Sequence, residues 1–443
     1  MKPNDILSLL LDESKRLGAS AADVMFAQNV SMSLGQRMGK SEGVERAESK
    51  AIGLRVFFGQ KIASVSASDL KPASLKALVE RACDMAKVSP EDPFSLLAPE
   101  NLLSTSPPAL DLCDPNEPST DWMIEQSKAL EESALAVKDI TNSNGSSVGH
   151  SRSSIALATS NGFRGEYSTS STSISVSVVA GDGEDKQEDY DYATCRYASD
   201  LPSAASIGLK AGELAVEKMH PRKMATCQVP VVFEPRAGNR LLYYFSGAIN
   251  GASIARGTSF LKDAMDTPVF SNGISIIDDP HRVRGLASRP FDGEGVKNSK
   301  RALIENGILK SWLLDTRSAK KLNLTTTGHA SRGLGSPPSP SPTNMYMEKG
   351  NITAEALIKD IKNGFYITET FGMGVNLVTG DYSQGASGFW IENGEITFAV
   401  SELTIAGKLQ DMYKHITAAN DLEFRYSSNT PTYRIDGMTI AGT

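Results

Sequence analysis

The chain has 443 residues, 40% of them hydrophobic and 22% charged, with a formal net charge of −7. That length exceeds one ordinary core and implies two or three domains of a globular protein. The acidic balance argues against general nucleic-acid binding, which needs a basic face, and no stretch approaches the ~18 apolar residues of a membrane span.

The spacing of Ile6, Leu9, Leu10 and Leu17 predicts an amphipathic first helix, capped by Asn4 or Asp5 and ended by Gly18. Its apolar run is short and broken by Asp12 and Glu13, unlike a signal peptide. Two strands are expected at Ala22–Gln28 and Val30–Gln36. A hairpin follows, Ala51–Phe58 with Lys61–Ser68 around Gly59-Gln60, where a leading glycine suits a type II′ turn. A second helix is predicted from Pro72 to Lys87, with Leu75, Leu78, Val79, Ala82 and Met85 on its apolar face. Helix, strands, hairpin and helix in this order indicate helices packed on an antiparallel sheet.

Seven prolines between Ser89 and Pro118 mark an irregular connector. A helix is expected over Thr120–Lys138, then a strand-rich region over Val148–Thr194. In that region Asn161-Gly162 signals a hairpin, and Ile174, Val176 and Val178 alternate with serine. A further helix over Ala204–Lys218 closes the region. The chain thus divides into an N-terminal α+β domain with its connector (1–118), a central strand-rich region closing that domain (119–223) and a C-terminal domain (224–443).

In the last domain, Val229–Arg240 reads as an apolar strand and turn, and Leu241–Leu261 as a helical stretch. Ile304–Ile308 and Ile391–Ile396 are near-copies of one Asn-Gly hairpin, through duplication or through chance reuse of a common turn. Gly333–Thr343 is expected to be a mobile surface loop. A helix near Ala406–Ala418 and a strand at Thr432–Ile440 end the domain, which is mostly β with helices. The fold class is therefore α+β throughout.

The chemistry visible in the residues is sparse. The five histidines are scattered, with no His-Glu-x-x-His or His-Glu-x-x-x-His spacing for a metal. Asp278-Asp279-Pro280-His281 reads as a turn capped by aspartate rather than a cation or acid–base site. Asp292, Glu294, Glu188, Asp189 and Asp191 are expected to be exposed. The basic runs His281–Arg284 and Lys297–Arg301 read as solvated loop faces. No Gly-x-Ser-x-Gly elbow or phosphate loop is present. Four well-separated cysteines argue for a reducing compartment rather than a disulfide framework. The glycine-rich stretches Gly372-Met373-Gly374 and Gly380–Trp390 offer close backbone approach for a peptide, or simply a bend between strands.

Taken together, the hairpin segment AIGLRVFFGQKIASVSASDL, the region Val148–Ala180, and the C-terminal run containing LLYYFSGAINGASIARGTSFL (Leu241–Leu261) and Phe291–Leu322 resemble the TldD/PmbA family, once called modulators of DNA gyrase. One subunit type of that family carries His-Glu-x-x-x-His on a helix just before an Arg-x-Gly-Thr-Ser segment, with a late cysteine ligand. Here Arg256–Leu261 is present, but the helix before it has no histidine or acid, and no cysteine follows Cys227. The chain is accordingly similar to the PmbA/TldE-type subunit. The resemblance implies a cytoplasmic metallopeptidase complex with an internal chamber, acting on unstructured peptides. It also implies no catalytic residue, metal ligand or cofactor in this chain, with zinc in the partner. The partner would be a TldD-type metal-bearing subunit or, in a homodimer, a second copy. Substrate contact is expected around Gly380, Asp381 and Gly385. The alternative is a stand-alone homodimeric binding or regulatory protein without peptidase activity, and neither reading involves nucleic acid or membrane.

Overall fold

The computed structural model describes residues 1–183 and 185–442. Its N-terminal half is one six-stranded antiparallel sheet, of order β3-β2-β1-β4-β5-β6. The strands are β1 (Ala21–Arg37), β2 (Lys40–Phe58), β3 (Lys61–Ala67), β4 (Ile140–Thr159), β5 (Arg164–Ala180) and β6 (Gln187–Cys195). Four helices cover one face: α1 (Pro3–Arg16), α2 (Pro72–Val88), α3 (Thr120–Leu135) and α4 (Ala204–Glu217). Side chains alternate along a strand, so Val24, Phe26, Met32 and Leu34 of β1 all point to the helical face. The first two pack with α1 and α2, the last two with α3 and α4.

Several sequence expectations are corrected in this half. The two strands expected over 22–36 are one continuous strand, since Asn29 stays paired with both neighbours. Asp5 does not cap α1; it lies at the third helical position and accepts a hydrogen bond from the Lys2 backbone N–H (3.2 Å). Met85 is exposed, and Cys83 and Ala86 take its place in the core. Gly59 has a positive φ of 62° as expected. At the Asn161 hairpin only Gly162 does (103°), with Thr159 N–H donating to the Phe163 carbonyl across a loop longer than a two-residue turn.

Residues 40–50 of β2 went unrecognised in the sequence. They extend the strand beyond the end of β3 and are exposed throughout, so neither face shows a period of two.

The C-terminal half begins with β7 (Cys227–Phe233), α5 (Pro235–Ala248) and α6 (Gly251–Arg256). Then come β8 (Ile276–Asp279), β9 (Arg301–Glu305), β10 (Ile308–Leu309), α7 (Thr316–Lys321), β11 (Ala330–Ser331), β12 (Ser339–Pro340) and β13 (Asn344–Met347). The chain finishes with α8 (Ala354–Ile358), β14 (Asn363–Asn376), β15 (Asp381–Glu392), β16 (Glu395–Lys408), α9 (Leu409–Lys414), β17 (Ile416–Ala418), β18 (Ser428–Asn429) and β19 (Tyr433–Ala441). The main sheet runs β16-β15-β14-β7-β19-β17 and closes on itself where β16 also pairs with β19. A smaller sheet, β10-β9-β8-β13-β18, flanks it.

Both Asn-Gly hairpins form as expected, with positive φ at Asn306 and Gly307 and at Asn393 and Gly394. The helix expected over 406–418 is instead the end of β16, one short helix and β17, because Ile405, Leu409 and Met412 each reach the core from a different element. The α+β class holds for both halves. No helix among the described residues is long and apolar enough to cross a membrane.

The second face of the N-terminal sheet packs on the C-terminal half. Asp23 and Arg55 are register partners there, and both are buried. Arg55 Nε donates to Asp23 Oδ2 (2.9 Å), and Arg332 Nη1, from the 331–343 stretch, donates to Asp23 Oδ1 (2.6 Å). Beside them the Leu334 carbonyl lies on Gly53, where a Cβ would come within 2.0 Å of it. The expected mobile loop is thus clamped onto the sheet, and its Ser339–Pro340 pairs with Ala330–Ser331.

Asp292, Glu294, Asp189 and Asp191 are buried at such contacts, contrary to expectation, while Glu188 is exposed. Each is tied to a donor from another segment. Glu294 accepts from the Thr316 N–H (2.8 Å), Asp292 from the Ala330 N–H (3.1 Å), Asp189 from Lys218 (2.8 Å) and Asp191 from Arg425 (3.2 Å). Nothing in the local sequence marks these long-range pairings.

Candidate functional surface

Helix α5 starts directly after β7, with Glu234 at the N-cap and Pro235 in the first turn, where its missing N–H leaves no donor unpaired. The helix therefore begins earlier than expected. It also stops at Ala248, and Asn250 caps the separate α6 by accepting from the Ala252 N–H (3.0 Å). Ala237, Leu241, Leu242, Tyr244, Phe245 and Ala248 face the core. Phe245 meets Phe270 edge-on (5.3 Å), and Phe270 stacks on Tyr413 (4.3 Å). Burial of one such ring stabilises the fold by roughly 2–3 kcal/mol and fixes the helix orientation.

The outward stripe of α5 is Arg240, Tyr243 and Gly247, at the spacing of one helix face. Tyr243 is 71% exposed. Alongside runs the far end of β14. That strand pairs with β7 only at Phe365–Ile367, since the chain leaves the sheet after Phe233 to form α5. From Thr368 to Val375 the edge of β14 on that side has no strand partner among the described residues. Phe371 (48% exposed), Met373 (95%) and, past the strand, Val378 (56%) stand out from this ribbon.

Arg240 Nη2 donates to the Gly372 carbonyl (3.1 Å), Tyr244 Oη to Gln384 Oε1 (3.2 Å), and the Phe260 N–H to the Leu377 carbonyl (2.9 Å). The helix and ribbon therefore form one continuous surface. A cleft of about 190 Å³ opens at its base, bordered by Arg236, Arg240, Glu369 and Thr370. The hydroxyl oxygens of Thr368 and Thr370 are buried without a partner among the described residues.

The expected contact residues lie on the same ribbon, though not as one cluster. Gly380 has φ of 80° at the β14–β15 turn, and its carbonyl accepts from the Leu409 N–H (2.8 Å). Asp381 is exposed, ion-paired to Lys408 (3.4 Å) and held below the usual carboxylate range by the Thr379 hydroxyl. Gly385 lies in mid-strand under the Phe371 ring, which fills the space of a side chain there. Sequence reasoning singled out Gly372-Met373-Gly374 but missed Tyr243, Phe371 and the open edge. The Tyr243-Tyr244 doublet was the available signal for the first, since adjacent helix positions lie about 100° apart and both rings cannot face the core equally.

The Asp278 cluster is closed rather than reactive. Burial alone would raise the Asp278 carboxyl, yet hydrogen bonds from His329 (3.1 Å) and the Thr343 N–H (2.6 Å) hold it below its ordinary range. Asp279 caps the turn as expected, accepting from the His281 N–H (2.9 Å). Arg284, in the basic run, lies at the surface as expected and is ion-paired there to Asp111 (2.6 Å) and Asp200 (2.9 Å).

Helix α5 contains no His, Cys, Asp or Glu, and its outward stripe carries the Arg240 cation. Among the described residues no three such side chains converge anywhere.

Three family profiles match along the chain, described as PmbA/TldA metallopeptidase domain 1 (residues 22–86), central domain (113–219) and C-terminal domain (226–442). The chain is 36% identical to Metalloprotease PmbA of Escherichia coli O157:H7, covering 96% of this chain and 93% of that one. It is also 36% identical to a Metalloprotease PmbA homolog of Haemophilus influenzae, covering 98% and 95%. A crystal structure of a protein described as a putative modulator of DNA gyrase from Bacteroides thetaiotaomicron superposes with a TM-score of 0.91 at 27% identity, covering 99% of both chains. TldE from Thermococcus kodakarensis shares the fold, with a TM-score of 0.86 at 20% identity over 99% of this chain and 100% of that one.

Proposed function

Because the chain belongs to the PmbA/TldD metallopeptidase family, as a PmbA/TldE-type member, we propose that it is the metal-free half of a peptidase complex that processes unstructured peptides. One observation carries this reading: an unpaired strand edge, Thr368–Val375, lies beside exposed apolar side chains and a helix that has no metal-binding side chain. An extended peptide has free backbone N–H and C=O groups and joins such an edge by strand addition, while Phe371, Met373 and Tyr243 offer apolar contact to alternate side chains. A folded segment whose backbone groups are already paired on both sides has none to offer this edge.

In this reading a sister subunit bearing His-Glu-x-x-x-His supplies the zinc, which activates water and polarises the scissile carbonyl. This chain holds the peptide extended and walls part of the chamber. The free thiols of Cys83, Cys113, Cys195 and Cys227 suit a cytoplasmic setting.

The test combines the purified chain, the sister subunit and an unstructured peptide. Cleavage is expected only in the mixture, together with a heterodimer by light scattering. Turnover by this chain alone after chelation, or a homodimer that ignores the sister subunit, would overturn the reading. The second outcome would favour a stand-alone binding protein.

A further inference from the structure

A second cleft, of about 250 Å³, opens on the other side of Arg236 at the start of α5, where the N-terminal sheet meets the 421–430 segment. Its charged groups are unequally committed. Arg236 is engaged by Asp189 (3.1 Å) and donates to the Tyr190 carbonyl (2.9 Å). Arg425 is engaged by Asp191 (3.2 Å) and donates to the Tyr192 carbonyl (3.2 Å). Asp421 accepts from the Thr432 N–H (2.9 Å) and hydroxyl (2.7 Å). Two acceptors in the wall stand apart. The Glu234 carboxylate accepts no hydrogen bond from the described residues, and its Oε2 is sealed from solvent. Asn239 Oδ1 is likewise buried without a donor. These residues lie five positions apart on α5, one at its N-cap and one in its second turn.

Buried acceptors without donors are rare, because each forfeits its hydration. A site whose two arginines are already paired and whose buried unpartnered side-chain atoms are both acceptors selects a ligand that brings N–H donors and positive charge. We propose that this cleft binds a small cationic nitrogen group, an alkylammonium or guanidinium head, clamped between Glu234 and Asn239. Burial raises the Glu234 carboxyl above its ordinary value, and a bound cation opposes that shift by favouring the ionised form. Lys210, exposed at the rim, is the lining cation without an ion-pair partner among the described residues. The source is either a free amine or a basic side chain of a peptide. The site stands independently of the strand-edge reading, since none of its acceptors belongs to β14.

The experiment is calorimetric titration of the full chain with agmatine, and in a second arm with a peptide carrying one arginine. The same peptide with citrulline serves as the neutral control. Saturable 1:1 binding of the charged probes is expected, with at least tenfold weakening for the control and for Glu234→Gln. A basic side chain is the source if the peptide binds more tightly than agmatine, and a free amine if the order is reversed. Lys210→Met, at an exposed position that leaves the fold intact, should tighten binding two- to threefold, so the proposal remains decidable if Glu234→Gln misfolds. Equal binding of arginine and citrulline peptides, or no saturable heat with either charged probe, overturns it.

Discussion

At Glu294 a carboxyl has been taken out of water beside a second one, Asp292. Burial raises both, and their mutual repulsion adds to it. Three backbone N–H groups, of Glu294, Val296 and Ala330, point at Asp292 and hold the charge there. The proton of the pair therefore resides on Glu294, whose pKa is pushed up from 4.5 to about 8. An acid with a raised folded-state pKa binds more protons folded than unfolded between those two values, so stability falls as pH rises through that window. Glu294→Gln should flatten that decline, seen as a smaller change in the urea midpoint between pH 5 and pH 8. Gly53 argues a different point at the same scale. Its φ is ordinary, but the Leu334 carbonyl occupies the space of a side chain. Gly53→Ala should destabilise the protein by about 2 kcal/mol or more, measured by chemical denaturation, with the loss largest in the contact between the two halves.

The ribbon of β14 and β15 is built around what it leaves open. The chain leaves the barrel at Glu234 to make α5, which deprives β14 of a neighbour from Thr368 onward. Met373, almost fully exposed at the tip, makes no core contact. Met373→Lys should therefore change stability by less than ~0.5 kcal/mol while weakening association with an unstructured apolar peptide severalfold, a split readable by thermal melting and fluorescence anisotropy. Equal loss of both would show that the ribbon tip is structural.

Elements with a local cause were legible from residues alone, among them the two Asn-Gly hairpins, α2 with its leading proline, and the alternation of Ile174, Val176 and Val178. Those set by distant partners were not. The open edge of β14 follows from where β7 ends, and the acidic residues at 189, 191, 292 and 294 look like surface until their donors from other segments are known.

Across the whole molecule, the N-terminal sheet presents one face to four helices and the other to the C-terminal half, where buried Asp23, Arg55 and Arg332 join the two. An ion pair this deep contributes little net stability against apolar packing, but breaking it strands an uncompensated charge, so the two halves are fixed in one relative placement. That rigidity suits the chamber-wall role proposed above.

The uncovered stretch of β2, residues 40–50, carries its own consequence. Lys40, Glu42, Glu45, Glu48 and Lys50 are arranged symmetrically about Glu45. Were two molecules to zip together antiparallel along this border with Glu45 at the twofold, lysine would confront lysine and glutamate would confront glutamate at each of those positions. Like charges directly opposite repel. In that register the border is a palindrome of refusal, set against a second copy of itself.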